Sequence, residues 1–205
     1  MKLSLPEGDF KAYLFDCDGT IVDSMPLHYV AWKQALAEYG CANFSEELFY
    51  SMGGMPVTDV VATLNRRDGL HMPVEEIAER KEQLYYDLIH ELQPVPEVLE
   101  VIHTEHGKIP FAVVSGSTRE SVVKSLEALG ILGLFDTLVC AGDYARGKPA
   151  PDPFLLAAKR LGVAAKDCLV FEDAEIGIQA ATAAGMAWVR IAQPHERATR
   201  DAVPA

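Results

Sequence analysis

From Pro96 onward the sequence alternates short apolar runs, rich in β-branched and aromatic residues, with longer stretches of helical period, and no other feature narrows the fold so far. Pro110–Ser115, Thr137–Ala141, Cys168–Phe171 and Trp188–Ile191 read as buried strands, and Phe10–Phe15 near the N-terminus is another. Between them lie helical stretches over Val98–His106, from Ser117 to Leu129, Pro153–Leu161 and Ile176–Ala184, the last three closed by Gly130, Gly162 and Gly185. Ser117 and Glu120 have the spacing of a capping box for the second of these helices. Strands alternating with helices imply a doubly wound parallel sheet, a Rossmann-like α/β core with helices on both faces.

The rhythm is broken once. Residues 23–93 hold no convincing strand, only helical patterns over Pro26–Tyr39, Ser45–Ser51, Thr58–Leu64 and Val74–Leu92, until Pro94 and Pro96 stop them. The expected organisation is therefore a small all-helical insertion, residues 23–94, placed after the first strand of a core made of residues 1–22 and 95–205.

In an open parallel sheet, ligands collect outside the carboxyl ends of the strands. The expected strands end there on Asp16 and Asp18, on Ser115-Gly116-Ser117, and on Glu172-Asp173, with Lys148 in the loop after the third strand. Each has a plain alternative: Asp-Gly makes turns, Ser117 caps a helix, lysines are commonly solvated, and Glu172-Asp173 suits a helix start. Their meeting on one edge is what those alternatives do not predict. Four carboxylates in one crevice repel unless a divalent cation neutralises them, and hard oxygen donors without His or Cys point to Mg²⁺. Hydroxyls and backbone N–H groups before a helix, with a lysine beside them, suit a phosphoryl group.

The net charge of −12 argues against nucleic acid as a partner, since phosphate backbones call for clustered Lys and Arg. No stretch has the length of a membrane span and the N-terminus shows no signal-peptide core. Cys17, Cys140 and Cys168 fall in or beside apolar runs and Cys41 in a loop, a spacing that suits neither a disulfide framework nor zinc. Four free thiols in a reducing cytoplasm are expected.

Asp16-Cys17-Asp18-Gly19-Thr20, Ser115 after Phe111–Val114, Lys148 in Gly147-Lys148-Pro149-Ala150-Pro151-Asp152, and Glu172-Asp173 in the stretch Phe171–Gly177 resemble, in order and spacing, the motifs of the haloacid dehalogenase-like phosphatases. The helical insertion resembles that family's small cap, as in the β-phosphoglucomutase-like branch and related bacterial sugar-phosphate phosphatases. The resemblance implies that Asp16 attacks phosphorus and becomes an aspartyl-phosphate. It implies that Asp18 is the general acid and base, which needs a raised pKa, that Ser115 binds a phosphoryl oxygen, and that Lys148 holds Asp16 and phosphate together. It also implies Mg²⁺ bound by the Asp16 carboxylate, the Asp18 backbone carbonyl, Glu172 and Asp173. Thr20, in the turn that follows, is expected to help orient Asp18. The Asp at position 18 separates the chain from true dehalogenases and from phosphonate hydrolases.

The cap carries the substrate expectations. His28 and Trp32 match residues of the mutase's first cap helix, although packing explains Trp32 as well. Lys81 matches a cap lysine that contacts a distal phosphate, and Gly54 lies in the cap loop. Val57 stands where the mutase has an arginine. The substrate-binding set is then Ser115, Gly116, Ser117, Lys148, His28, Gly54 and Lys81, for a small phosphorylated sugar. Hydrolysis is the first reading and a phosphosugar mutase the second. A third reading, from a different class, is a phosphoacceptor signalling domain; its acidic pair and acceptor lie on different strands and it has no helical insertion, so the pattern disfavours it. The sequence leaves the particular ester and the oligomeric state open, a monomer included.

Overall fold

The computed structural model describes residues 3–53, 55–193 and 196. Five strands, β1 (Ala12–Phe15), β2 (Phe111–Val114), β3 (Thr137–Val139), β4 (Cys168–Glu172) and β5 (Ala187–Arg190), pair in the order β3-β2-β1-β4-β5, every neighbour parallel. The chain starts at the centre of the sheet and winds outward in both directions, so β1 has a strand end on either side of it. The strand order reverses here, which is where an open α/β sheet forms its crevice.

The pleat sorts the side chains. Tyr13, Phe15, Phe111, Val113, Leu169 and Phe171 face one side, and Ala12, Leu14, Ala112, Val114 and Val170 the other. The first side is aromatic, with Phe15 stacked on Phe171 at 4.5 Å between ring centroids. It packs on α5 (Pro96–Glu105) and α6 (Arg119–Ala128) through Val98, Ile102, Val122 and Leu126. The second side is small and receives α7 (Asp152–Leu161) and α8 (Glu175–Ala183) through Phe154, Ala157, Ala180 and Ala181.

Between β1 and α5 run four helices, α1 (Met25–Glu38), α2 (Glu46–Ser51), α3 (Val57–Asp68) and α4 (Val74–Leu88), the last followed by a 3₁₀ turn over Ile89–Glu91. Their buried residues, Trp32, Leu36, Val61, Leu64, Ile77 and Tyr85 among them, continue the aromatic core rather than form a separate one. The chain entering and the chain leaving this segment run side by side: Asp23 N donates to Gln93 O at 2.8 Å and Val95 N to Ile21 O at 2.9 Å.

The strand and helix pattern expected from the sequence is present, with shifted ends. β1 begins at Ala12, because Phe10 lies before the ladder and is only partly buried, and β3 ends at Val139. The cap of α6 is Thr118, whose hydroxyl accepts from Ser121 N at 3.2 Å, and not Ser117. Ser117 is unavailable for that role because its hydroxyl is turned to Asp18. The four cysteines are free, and Cys41 lies in a loop as expected, buried there like the other three. No helix among the described residues is long and apolar enough to cross a membrane.

Candidate active site

β1 delivers Asp16 to the middle of the carboxyl edge, where its N–H still donates to Phe171 O at 2.9 Å. The chain then turns through Gly19, at φ 91°, in a region that favours glycine. A Cβ there would also stand 2.6 Å from the nearest Asp173 carboxylate oxygen, so the turn and the acidic residues occupy adjoining space. β4 supplies Glu172, and Asp173 follows it. The loop after β3 brings in Lys148, whose Nζ donates to Asp16 Oδ1 at 2.6 Å, to Glu172 Oε1 at 2.5 Å and to Val114 O at 3.1 Å. Glu172 is pinned a second time, its Oε2 accepting from Ala174 N at 2.9 Å.

Asp16, Glu172 and Asp173 each present an oxygen within 4.8 Å of the others, and all three are buried. One ammonium against three carboxylates leaves surplus negative charge. Burial pushes the Asp16 carboxyl well above its ordinary value, opposed by Lys148 and reinforced by Glu172 and Asp173. Burial and the Glu172 charge push Asp173 up to about 7. Burial alone would lower Lys148, but Asp16 and Glu172 raise it above the ordinary lysine range. An all-oxygen donor set with uncompensated charge fits a hard divalent cation.

Asp18 stands apart from this trio. Its Oδ1 accepts from Ser24 Oγ at 2.7 Å and lies 3.0 Å from His28 Nε2, while Oδ2 accepts from Ser117 Oγ at 2.8 Å and Ser115 Oγ at 3.4 Å. Burial would raise its pKa, but the His28 interaction and the Ser24 and Ser117 hydroxyls outweigh it and hold the carboxyl well below the usual range. A general acid and base at this position is expected to have a raised value, and the structure gives the opposite because these partners converge on the carboxylate. A second correction concerns Thr20: its hydroxyl donates to Asp173 Oδ1 at 3.1 Å rather than to Asp18.

The expected cap residues divide. His28, on α1, reaches Asp18 and stacks on the Tyr85 ring at 3.9 Å. Lys81, on α4, lines the same cavity as Asp16 and Asp18, but its Nζ donates to Glu82 Oε1 at 2.8 Å. Gly116 lines that cavity too; Gly54 lies outside the described residues. The cavity measures about 60 Å³, and Trp32, Phe49, Met52, Met55 and Val57 give it an apolar wall beside His28 and Lys81.

Sequence reasoning passed over three contributors. Ser24 stands just before α1, where its hydroxyl caps no N–H and donates to Asp18 instead. Tyr144 donates its hydroxyl to Ser115 O at 3.1 Å and so ties the loop of Lys148 to the loop of Ser115. Gly177, inside α8, faces Glu172 so closely that a Cβ would overlap the carboxylate. A glycine in a helix interior was the available signal.

A doubly wound sheet with buried carboxylates and a lysine at its switch point defines a Rossmann-like α/β enzyme. Residues 13–191 match the haloacid dehalogenase-like hydrolase family, and the chain belongs to it. It is 37% identical over 180 residues to the fructose-1-phosphate phosphatase YqaB of Escherichia coli, covering 86% of this chain and 94% of that protein. It is 32% identical to the β-phosphoglucomutase of Bacillus subtilis, over 89% of this chain and 84% of that one. Among solved structures, a β-phosphoglucomutase from Clostridium difficile is 28% identical with a TM-score of 0.79, covering 92% of this chain and 87% of that one.

Proposed function

We propose that this protein is a phosphatase of small phosphorylated sugars, working through an aspartyl-phosphate on Asp16 in the presence of Mg²⁺. The observation that carries the reading is the split between the two aspartates. Asp16 is gripped by Lys148 within the acidic trio, while Asp18 faces the cavity from a separate cradle of Ser24, His28 and Ser117. That split supports giving attack to one carboxylate and proton transfer to the other.

In this reading the Asp16 carboxylate attacks phosphorus while Lys148 and the Ser115-Gly116-Ser117 loop hold the phosphoryl oxygens. Asp18 protonates the departing alkoxide and then takes a proton from the water that hydrolyses the acyl phosphate. Its cradle favours the carboxylate, and an arriving phosphate dianion adds like charge beside it and pushes the carboxyl back up toward proton uptake. Mg²⁺, held by the Asp16 and Asp173 carboxylates with Glu172 and the Asp18 backbone carbonyl, would supply charge neutralisation for the phosphoryl group. Residues 23–94 would act as the cap, and residues 1–22 with 95–205 as the catalytic core, in a cytoplasmic enzyme.

Hydrolysis is preferred to mutase chemistry because Val57, an apolar residue, lines the cavity where a second phosphate would need a cation. The test is a turnover screen of sugar phosphates with Mg²⁺, including β-glucose 1-phosphate with its bisphosphate to catch a mutase. Release of inorganic phosphate by the wild type and none by Asp16→Asn is the expected outcome. Long-lived labelling by acetyl phosphate without turnover of any ester would sink the enzyme reading.

A further inference from the structure

We infer, resting on the phosphatase reading above, that Glu82 sets the charge selectivity of the pocket by neutralising Lys81, so that the leaving group must carry no second phosphate.

Lys81 is the one lysine or arginine among the described residues that line the cavity, and so the one fixed cation available to a distal anion. It is 2% exposed and Glu82 is 12% exposed, with 2.8 Å between Nζ and Oε1. A pair this buried is poorly screened by water, so the carboxylate cancels most of the charge that Lys81 would present. The Lys81 ammonium is further occupied by two rings, lying 5.8 Å from the centroid of Trp32 and 5.3 Å from that of Tyr85. Apart from His28, whose Nε2 is engaged with Asp18, the rest of that wall is thioether, aromatic and aliphatic surface.

A second phosphate dianion seated there would face one neutralised lysine and apolar walls. It would lose its hydration without gaining a cation, which is unfavourable. An uncharged hydroxyl carries no such penalty. The chemistry that fits is therefore a monophosphate whose remainder is uncharged, with one less polar face against Trp32 and the methionines. Glu82 does not line the cavity and acts through Lys81, which makes it a positioning residue.

The experiment compares kcat/KM for each monophosphate and its bisphosphate, fructose 1-phosphate with fructose 1,6-bisphosphate and glucose 1-phosphate with glucose 1,6-bisphosphate, in the Mg²⁺-loaded enzyme. Because the ratio is taken within one variant, any loss of folded enzyme cancels. The wild type should favour the monophosphate, and Glu82→Gln should shift the ratio toward the bisphosphate by about tenfold, mainly through KM. In a Lys81→Gln background the same Glu82→Gln change should leave the ratio where it was. A wild type indifferent to the second phosphate, a Glu82→Gln ratio that does not move, or a shift that survives loss of Lys81 would each overturn the role given to Glu82. Failure of the wild type to hydrolyse p-nitrophenyl phosphate or any sugar phosphate is a different result, and it would overturn the phosphatase reading itself.

Discussion

The Lys148 ammonium and the Asp16 carboxylate meet at 2.6 Å, with 1% and 7% of their side chains exposed, at the carboxyl end of the central strand. Lys148 is the one positive charge this close to the Asp16, Glu172 and Asp173 trio among the described contacts. Replacing it by methionine keeps the volume and leaves the carboxylates unpaired. Breaking a buried pair by removing one partner costs about 3–5 kcal/mol. Lys148→Met should therefore unfold at distinctly lower urea than the wild type. Its kcat should fall by about 10²–10³, the scale of losing a preorganised electrostatic partner. Parallel urea titrations and turnover assays check both, and a variant of wild-type stability would show that the trio does not need the lysine.

Gly177→Ala should disable the site from a position that touches no substrate. The added Cβ overlaps the Glu172 carboxylate, which cannot step aside without releasing Lys148 or the Ala174 N–H. Alanine ordinarily favours a helix interior over glycine by about 1 kcal/mol, so propensity alone predicts a more stable protein. The overlap predicts the reverse, a lower melting temperature and weaker Mg²⁺ binding by titration calorimetry. A stabilised, active Gly177→Ala would mean that α8 shifts freely.

The parts of the fold that follow from period and punctuation were legible in the sequence: five buried runs, the helices between them, and the strandless segment after β1. So were the residues at the strand ends, because a parallel sheet gathers them on one edge whatever their partners. What could not be read was the direction of each side chain once there. Asp18 and Asp173 follow strands β1 and β4 and look equivalent in sequence. In the structure, Asp173 meets Thr20 and the Asp16 and Glu172 carboxylates, and Asp18 meets Ser24, His28 and Ser117. Their pKa values move in opposite directions as a result. Lys81 illustrates the same limit, since its pairing with the adjacent Glu82 is a matter of rotamer and burial rather than spacing.

Ser117 and Thr118 should separate catalysis from stability. Both could cap α6, yet Thr118 alone bonds the Ser121 N–H, while the Ser117 hydroxyl donates to Asp18 Oδ2. Thr118→Ala should cost about 1 kcal/mol of stability, the usual value of a lost cap. Ser117→Ala should instead lower kcat/KM for a phosphate ester by roughly tenfold, the equivalent of one hydrogen bond to a charged group. Thermal melts and steady-state kinetics on the two variants decide it. The opposite pattern, with Ser117→Ala losing the stability, would restore the capping box that the sequence suggests.

Asp143 should make the loop that carries Lys148 sensitive to acid. Its Oδ2 accepts from Cys140 N at 3.1 Å, Arg119 at 2.6 Å and Arg160 at 3.1 Å, and both arginines also donate to Leu138 O. The end of β3 is thereby tied to α6 and α7. Burial would raise the Asp143 carboxyl, but the Cys140 N–H and the two guanidinium groups outweigh it and leave it below its ordinary value. The folded protein thus binds this proton less readily than the unfolded chain does. The stabilisation is complete above the unfolded carboxyl value of about 4 and is lost as pH falls through the lower folded one. Asp143→Asn should therefore lose about 1.5 kcal/mol at pH 7, allowing for the partial exposure of the arginines. The gap between variant and wild type should narrow at pH 3 and below. Urea unfolding of both proteins at the two pH values measures it, and a gap of equal size at each would mean that the carboxylate charge contributes nothing.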